Sequence, residues 1–129
     1  MNKTYKILLD REEIGTTNLE KADAPMGVAF GLIAFNGIAS PYHFFKDYCS
    51  KNRITVNTDD SEFEFIDTQV IPELKVYRQD GLEIKGEAGN YISGMKEEGY
   101  EISVLGISYP FYEEEFPHHV KAYNEMFKE

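Results

Sequence analysis

The chain is expected to fold as an α+β domain: a mainly antiparallel sheet of about five to seven strands, packed by two amphipathic helices. Three observations predict this class. Short segments of alternating apolar and polar residues recur from Tyr5 to Ser108, separated by turn-forming residues. Two segments, 41–52 and 117–128, instead carry apolar residues at helical spacing. The strands follow one another as hairpins rather than alternating with helices, which favours an antiparallel sheet over a doubly wound parallel one. At 129 residues, 42 % apolar and with nine Phe and nine Tyr, the chain reads as a single domain, 1–129, large enough to bury a core without disulfide or metal staples.

The elements are read in order. Tyr5, Ile7 and Leu9 alternate with Lys6, Leu8 and Asp10 as a first strand, and residues 14–17 resume extended propensity after a polar turn, making a hairpin. Residues 21–25 form a loop. Residues 26–35 are apolar on both alternating faces, as in a central strand, with Gly27 and Gly31 permitting close backbone approach. Ser40 and Pro41 start a helix as N-cap and first helical residue. Its apolar arc is Tyr42, Phe44, Phe45, Tyr48 and Cys49, and Asn52 ends it, tolerating the left-handed conformation. Short strands follow at 54–57 and around Phe63 and Phe65, the latter with Glu62 and Glu64 on one acidic face. Residues 70–78 form a strand broken by Pro72, and a turn at 79–81 leads into 82–84. Gly86, Gly89 and Gly94 mark a loop-rich passage, residues 100–108 another strand, and residues 117–128 the last helix, with a Val120, Tyr123 and Phe127 stripe.

Composition narrows the function classes. Net charge is −10, from 23 acidic and 13 basic residues, so the chain repels a polyanion. Nucleic acid and anionic membranes are thus excluded as expected partners, because phosphate binding requires Lys and Arg. A basic protein is favoured, since a negative field speeds its encounter. The N-terminus MNKTYKILLD has no apolar leader pattern, and the longest apolar or glycine run, 25–35, is about half a membrane span. A cytoplasmic location is expected. Cys49 is the sole cysteine, which rules out an intrachain disulfide and a multi-cysteine zinc site.

The stretch GISYPFYEEEFPHH, residues 106–119, brings carboxylates beside imidazoles. Glu115 and His118 have the spacing of carboxylate di-metal helices, yet Pro117 lies between them and there is a single copy. On a helix beginning at Pro117, His119 flanks the apolar stripe and His118 faces solvent. The expectation is therefore an aromatic anchor for the last helix, with Glu113, Glu114 and Glu115 as an exposed acidic lip favourable to its dipole. Cys49 lies on an apolar helical arc and reads as a buried, inert thiol. Ser40 reads as a cap, and the acidic run 58–62 as a turn rather than a calcium loop. No catalytic residues, metal ligands or cofactor are expected.

In overall character, compact, acidic and without a catalytic constellation, the chain resembles the immunity proteins that neutralise bacterial toxins, including those of contact-dependent inhibition systems. That resemblance implies a non-catalytic inhibitor of a basic toxin domain, acting by steric and electrostatic blocking. Glu62, Glu64, Glu113, Glu114 and Glu115 would then face the toxin's Lys and Arg, with Tyr112 as a central anchor. The alternative is a small enzyme or ligand-binding domain with a pocket near the Glu115, His118 and His119 cluster. A third is a subunit whose Phe63 and Phe65 strand pairs with another chain.

Overall fold

In β1 (Tyr5–Leu9), Tyr5, Ile7 and Leu9 are buried while Lys6 and Leu8 are half-buried, the alternation of a strand with one face on a core. Asp10 and Arg11 both adopt positive φ, the geometry of a tight two-residue hairpin turn, and send the chain back as β2 (Glu12–Thr17). The computed structural model describes residues 3–127. It is an α+β fold with nine strands, more than the five to seven expected, and three helices. The further strands are β3 (Lys21–Asp23), β4 (Val28–Phe35), β5 (Val56–Asp60), β6 (Phe65–Thr68), β7 (Leu74–Tyr77), β8 (Gly89–Met95) and β9 (Gly99–Leu105). Every strand pairing is antiparallel, in the order β5-β6-β8-β9-β4-β2-β1-β7, with β3 added alongside β4.

Two strands lie where loops are expected, β3 in 21–25 and β8 in the glycine-rich passage. Glycine and polar residues mask β8 locally, but Asn90, Ile92 and Gly94 face inward opposite Val104, Ile102 and Tyr100 of β9. Other boundaries shift. Phe63 lies in the β5–β6 turn with Glu62 and Glu64 rather than in a strand, Pro72 precedes β7, and 82–84 contributes a single bridge from Glu83 to Tyr77.

The sheet curls until β7 meets β8. Asn90 Nδ2 donates to Leu74 O at 2.8 Å and Ile71 N donates to the Asn90 backbone O at 2.9 Å, so one residue bridges the seam through its side chain and its backbone. The curl encloses a core of inward residues such as Ile7, Val76, Ile92, Ile102 and Val104, all fully buried. The other face of β4, β8 and β9 points outward.

Helix α1 (Pro41–Lys51) matches its sequence pattern. Pro41 occupies the first position, Ser40 Oγ accepts from His43 N at 3.4 Å, and Tyr42, Phe45 and Cys49 are buried while His43, Lys46 and Asp47 are exposed. The left-handed residue past its end is Arg53, at φ 58°, not Asn52, whose amide instead donates to Tyr48 O. Replacing Ser40 by alanine removes the cap and is expected to cost about 1 kcal/mol in urea denaturation, with glycine costing less.

The C-terminal segment forms two helices, α2 (Phe111–Glu115) and α3 (Pro117–Met126). Pro117 disfavours helical geometry at the residue before it, and Phe116 accordingly sits at φ −122°, ψ 54° between them. The expected helix end at residue 128 lies outside the described residues. The Val120, Tyr123 and Phe127 stripe is not the buried face: Val120 is half-buried, whereas Tyr123 and Phe127 are exposed, and the buried side chain of α3 is His119.

Candidate functional site

Glu115 is 2 % exposed, which corrects its expected place on an exposed acidic lip. A buried carboxylate needs compensating donors. Tyr5 OH donates to Oε2 at 2.7 Å, Arg78 Nη1 to Oε1 at 3.0 Å, and Lys3 Nζ to Oε2 at 3.2 Å. Burial raises the Glu115 pKa, but the bonds from Tyr5, Arg78 and Lys3 outweigh it and hold the carboxyl below its usual value. The same contacts push the Tyr5 phenol far upward, burial first and the Glu115 carboxylate second. Arg78 also pairs with Asp80, which it holds down at about 2. This network fastens α2 to β1 and to the end of β7. It is a structural tie, with every carboxylate oxygen occupied from within.

Tyr112 is likewise withdrawn from the expected contact surface. It is fully buried, its ring packs on Tyr109 and Phe116 at 5.2 Å, and its hydroxyl donates to Val28 O at 2.8 Å. Phe116 in turn packs on Tyr5 at 6.0 Å and stacks on His119 at 5.5 Å. The aromatic stretch therefore anchors the C-terminal helices, as its composition suggests, and of its two tyrosines Tyr109, not Tyr112, is the exposed one.

Glu113 and Glu114 are exposed on α2. Glu62 is exposed in the β5–β6 turn, and half-buried Glu64 beside it accepts from Ser40 Oγ at 3.4 Å and pairs with Lys96 at 3.8 Å. The two acidic groups sit at opposite ends of the strand order. β6 lies next to the β5 edge, whereas α2 is tied to β1 and the residue after β7.

A cleft of about 830 Å³ lies between α3 and the outward face of β4, β8 and β9. Phe30, Tyr91 and Ser103 stand side by side on its floor by strand register, and Ala122, Tyr123 and Met126 of α3 form a wall. Its charged lining is Glu20, Asp23 and Glu101, and Lys21 bonds Glu101 Oε2 at 2.5 Å with its ammonium 5.9 Å from the Phe30 ring centroid. Glu20 folds over Gly31 to accept from Leu32 N at 2.8 Å; a Cβ at Gly31 would run into that carboxylate. His119 lines the cleft, its Nε2–H donating to Leu19 O at 2.8 Å, while Glu115 and His118 do not line it. Sequence periodicity misses this cleft; of the apolar stripe expected on the last helix, only Tyr123 stands on its wall.

Cys49 is buried, and burial raises its thiol pKa, so it is held as the protonated, unreactive form. Ser40 Oγ and His43 Nδ1 lie 2.7 Å apart, but this pair closes the first turn of α1. Among the described residues no group of three or more His, Cys, Asp and Glu is placed to hold a metal ion, and no helix is long and apolar enough to cross a membrane.

Comparison of the chain with protein-family models, with curated proteins and with solved structures gives no match.

Proposed function

We propose that this chain is a non-catalytic acidic binding protein, an immunity-type inhibitor that covers a basic toxin domain in the cytoplasm. One observation carries the reading. Ion pairs among the described residues engage only five carboxylates, those of Asp59, Glu64, Asp80, Glu101 and Glu115, leaving most of the 23 acids facing outward without an internal cation. Glu62, Glu113 and Glu114 are of this kind. Unneutralised surface carboxylates project a negative field that draws in a positive surface and weakens with salt. The test is association with the toxin domain encoded by a neighbouring gene. Charge reversal at Glu62, or at Glu113 and Glu114 together, should lower the association rate about tenfold at low salt for whichever group faces the partner. Absence of binding, or binding whose rate is unchanged by salt and by both reversals, overturns the reading.

The second reading, a ligand-binding domain with a pocket near the C-terminal cluster, keeps one supporting observation, the 830 Å³ cleft with His119 on its wall. That volume falls within the usual range for ligand sites.

A further inference from the structure

We infer that the cleft between α3 and the outer face of β4, β8 and β9 is the docking groove for an extended, apolar segment of a protein partner that inserts a lysine or arginine. The inference rests on the acidic-binder reading and adds the place of contact and the chemistry it selects.

Three features of the groove argue for this occupant. The first is an apolar rim. Tyr123 (37 % exposed) and Met126 (76 %), both on α3, line the groove wall with much of their apolar surface open to solvent. Apolar side chains clustered around a concavity mark interaction surfaces, where the same residues scattered singly would not. The second is charge. Glu20, Asp23 and Glu101 face one cation, Lys21, and Asp23 makes no side-chain cap or ion pair among the described residues.

The third is that Lys21 already displays the recognition. Its ammonium lies between a carboxylate and the Phe30 ring, the two groups that together hold a cation best at a half-exposed site. Lys21 belongs to a three-residue strand and its side chain is half-exposed, so it can swing into water at little cost, and exposed ion pairs contribute at most about 1 kcal/mol. An incoming guanidinium replaces it on Glu101, while Asp23, opposite Val28 and further along the groove, offers a second carboxylate. The shape favours a chain over a compact molecule. Tyr91 lines both this cleft and an adjoining hollow of about 420 Å³ bordered by Asn57, Asp67 and Gln69, so the depression is elongated across the sheet and carries one further carboxylate, Asp67.

The experiment titrates the nitrogen-labelled full chain with a short synthetic peptide alternating arginine with leucine, and with its counterpart carrying glutamate for arginine. The arginine peptide should shift the amides of Ala22, Asp23, Phe30, Ser103 and Tyr123, and the glutamate peptide should leave them in place. The exposed or half-exposed double variants Asp23→Asn with Glu101→Gln, and Tyr123→Ser with Met126→Ser, should each weaken the arginine peptide about tenfold. Shifts centred on α2 or on the β5–β6 turn, equal binding of both peptides, or full affinity in both variants overturns the groove. The same variants are then measured against the basic toxin domain. If that domain binds them as tightly as the unaltered chain, the groove is overturned while the acidic-binder reading stands. If no basic domain binds but the arginine peptide fills the groove as described, the acidic-inhibitor reading falls and the groove stands.

Discussion

Replacing Phe116 by alanine is expected to cost about 4 kcal/mol of stability, the largest effect of any single truncation in the C-terminal segment. Its ring is fully buried and is packed by Tyr5, Tyr112 and His119, which come from β1, α2 and α3. Removing it opens a cavity at the point where the helices join the sheet, and the surrounding rings, each held by its own hydrogen bond, cannot collapse into it. For a chain of this size the midpoint of thermal unfolding should fall by about 15 °C. Phe116→Leu keeps most of the volume and should lose less than half as much. Chemical denaturation of both variants checks the prediction, and equal losses would show that the site tolerates no repacking at all.

Glu115→Gln is expected to cost about 2–3 kcal/mol. Taking one partner from a buried ion pair typically costs more, but Lys3 and Arg78 are partly exposed and regain water when released. The substitution keeps the shape and removes the charge, leaving the Tyr5 hydroxyl with a weaker acceptor. The same carboxylate sets a pH dependence. Its folded-state pKa lies below the usual 4.5, so the unfolded chain takes up this proton first as the solution is acidified. Its contribution is therefore complete above the unfolded value and is lost as pH falls through the folded one. The difference in unfolding free energy between unaltered chain and Glu115→Gln should be constant near neutrality and shrink below pH 4.5. A difference that grows on acidification would mean that Glu115 is protonated in the folded protein.

These two positions show how the acidic stretch divides. Glu113 and Glu114 remain on the surface and contribute to the field proposed to attract a basic partner, whereas Glu115, one residue on, is spent on holding the helices in place. A charge reversal at Glu113 or Glu114 thus reads out binding, and a substitution at Glu115 reads out folding. Keeping the two apart avoids mistaking an unfolded variant for a lost contact.

Much of the fold was legible from local signals. The Ser40–Pro41 start and the Tyr42, Phe45 and Cys49 arc define α1 because capping and helical periodicity act within a few residues. The first hairpin follows from alternation and a polar turn for the same reason. Pro117 correctly separated Glu115 from the last helix, since its ring restricts the residue before it whatever the tertiary context. Strand β8 was not legible, because its glycines serve the curl of the sheet and Asn90 is buried to bridge a seam that exists only once β7 has come round.

By itself the amino-acid sequence determined an acidic α+β domain, its first helix, its first hairpin and the aromatic character of the C-terminal anchor. Each of these is set by composition or by interactions between near neighbours in the chain. Only the tertiary structure decided that Glu115 is interior, because its three partners, Lys3, Tyr5 and Arg78, lie 112, 110 and 37 residues away. It likewise decided that α3 turns His119 inward, toward Leu19, and leaves Tyr123 and Met126 over a cleft. Periodicity can show that a helix has an apolar face, but which surface that face meets depends on how the sheet curls beneath it.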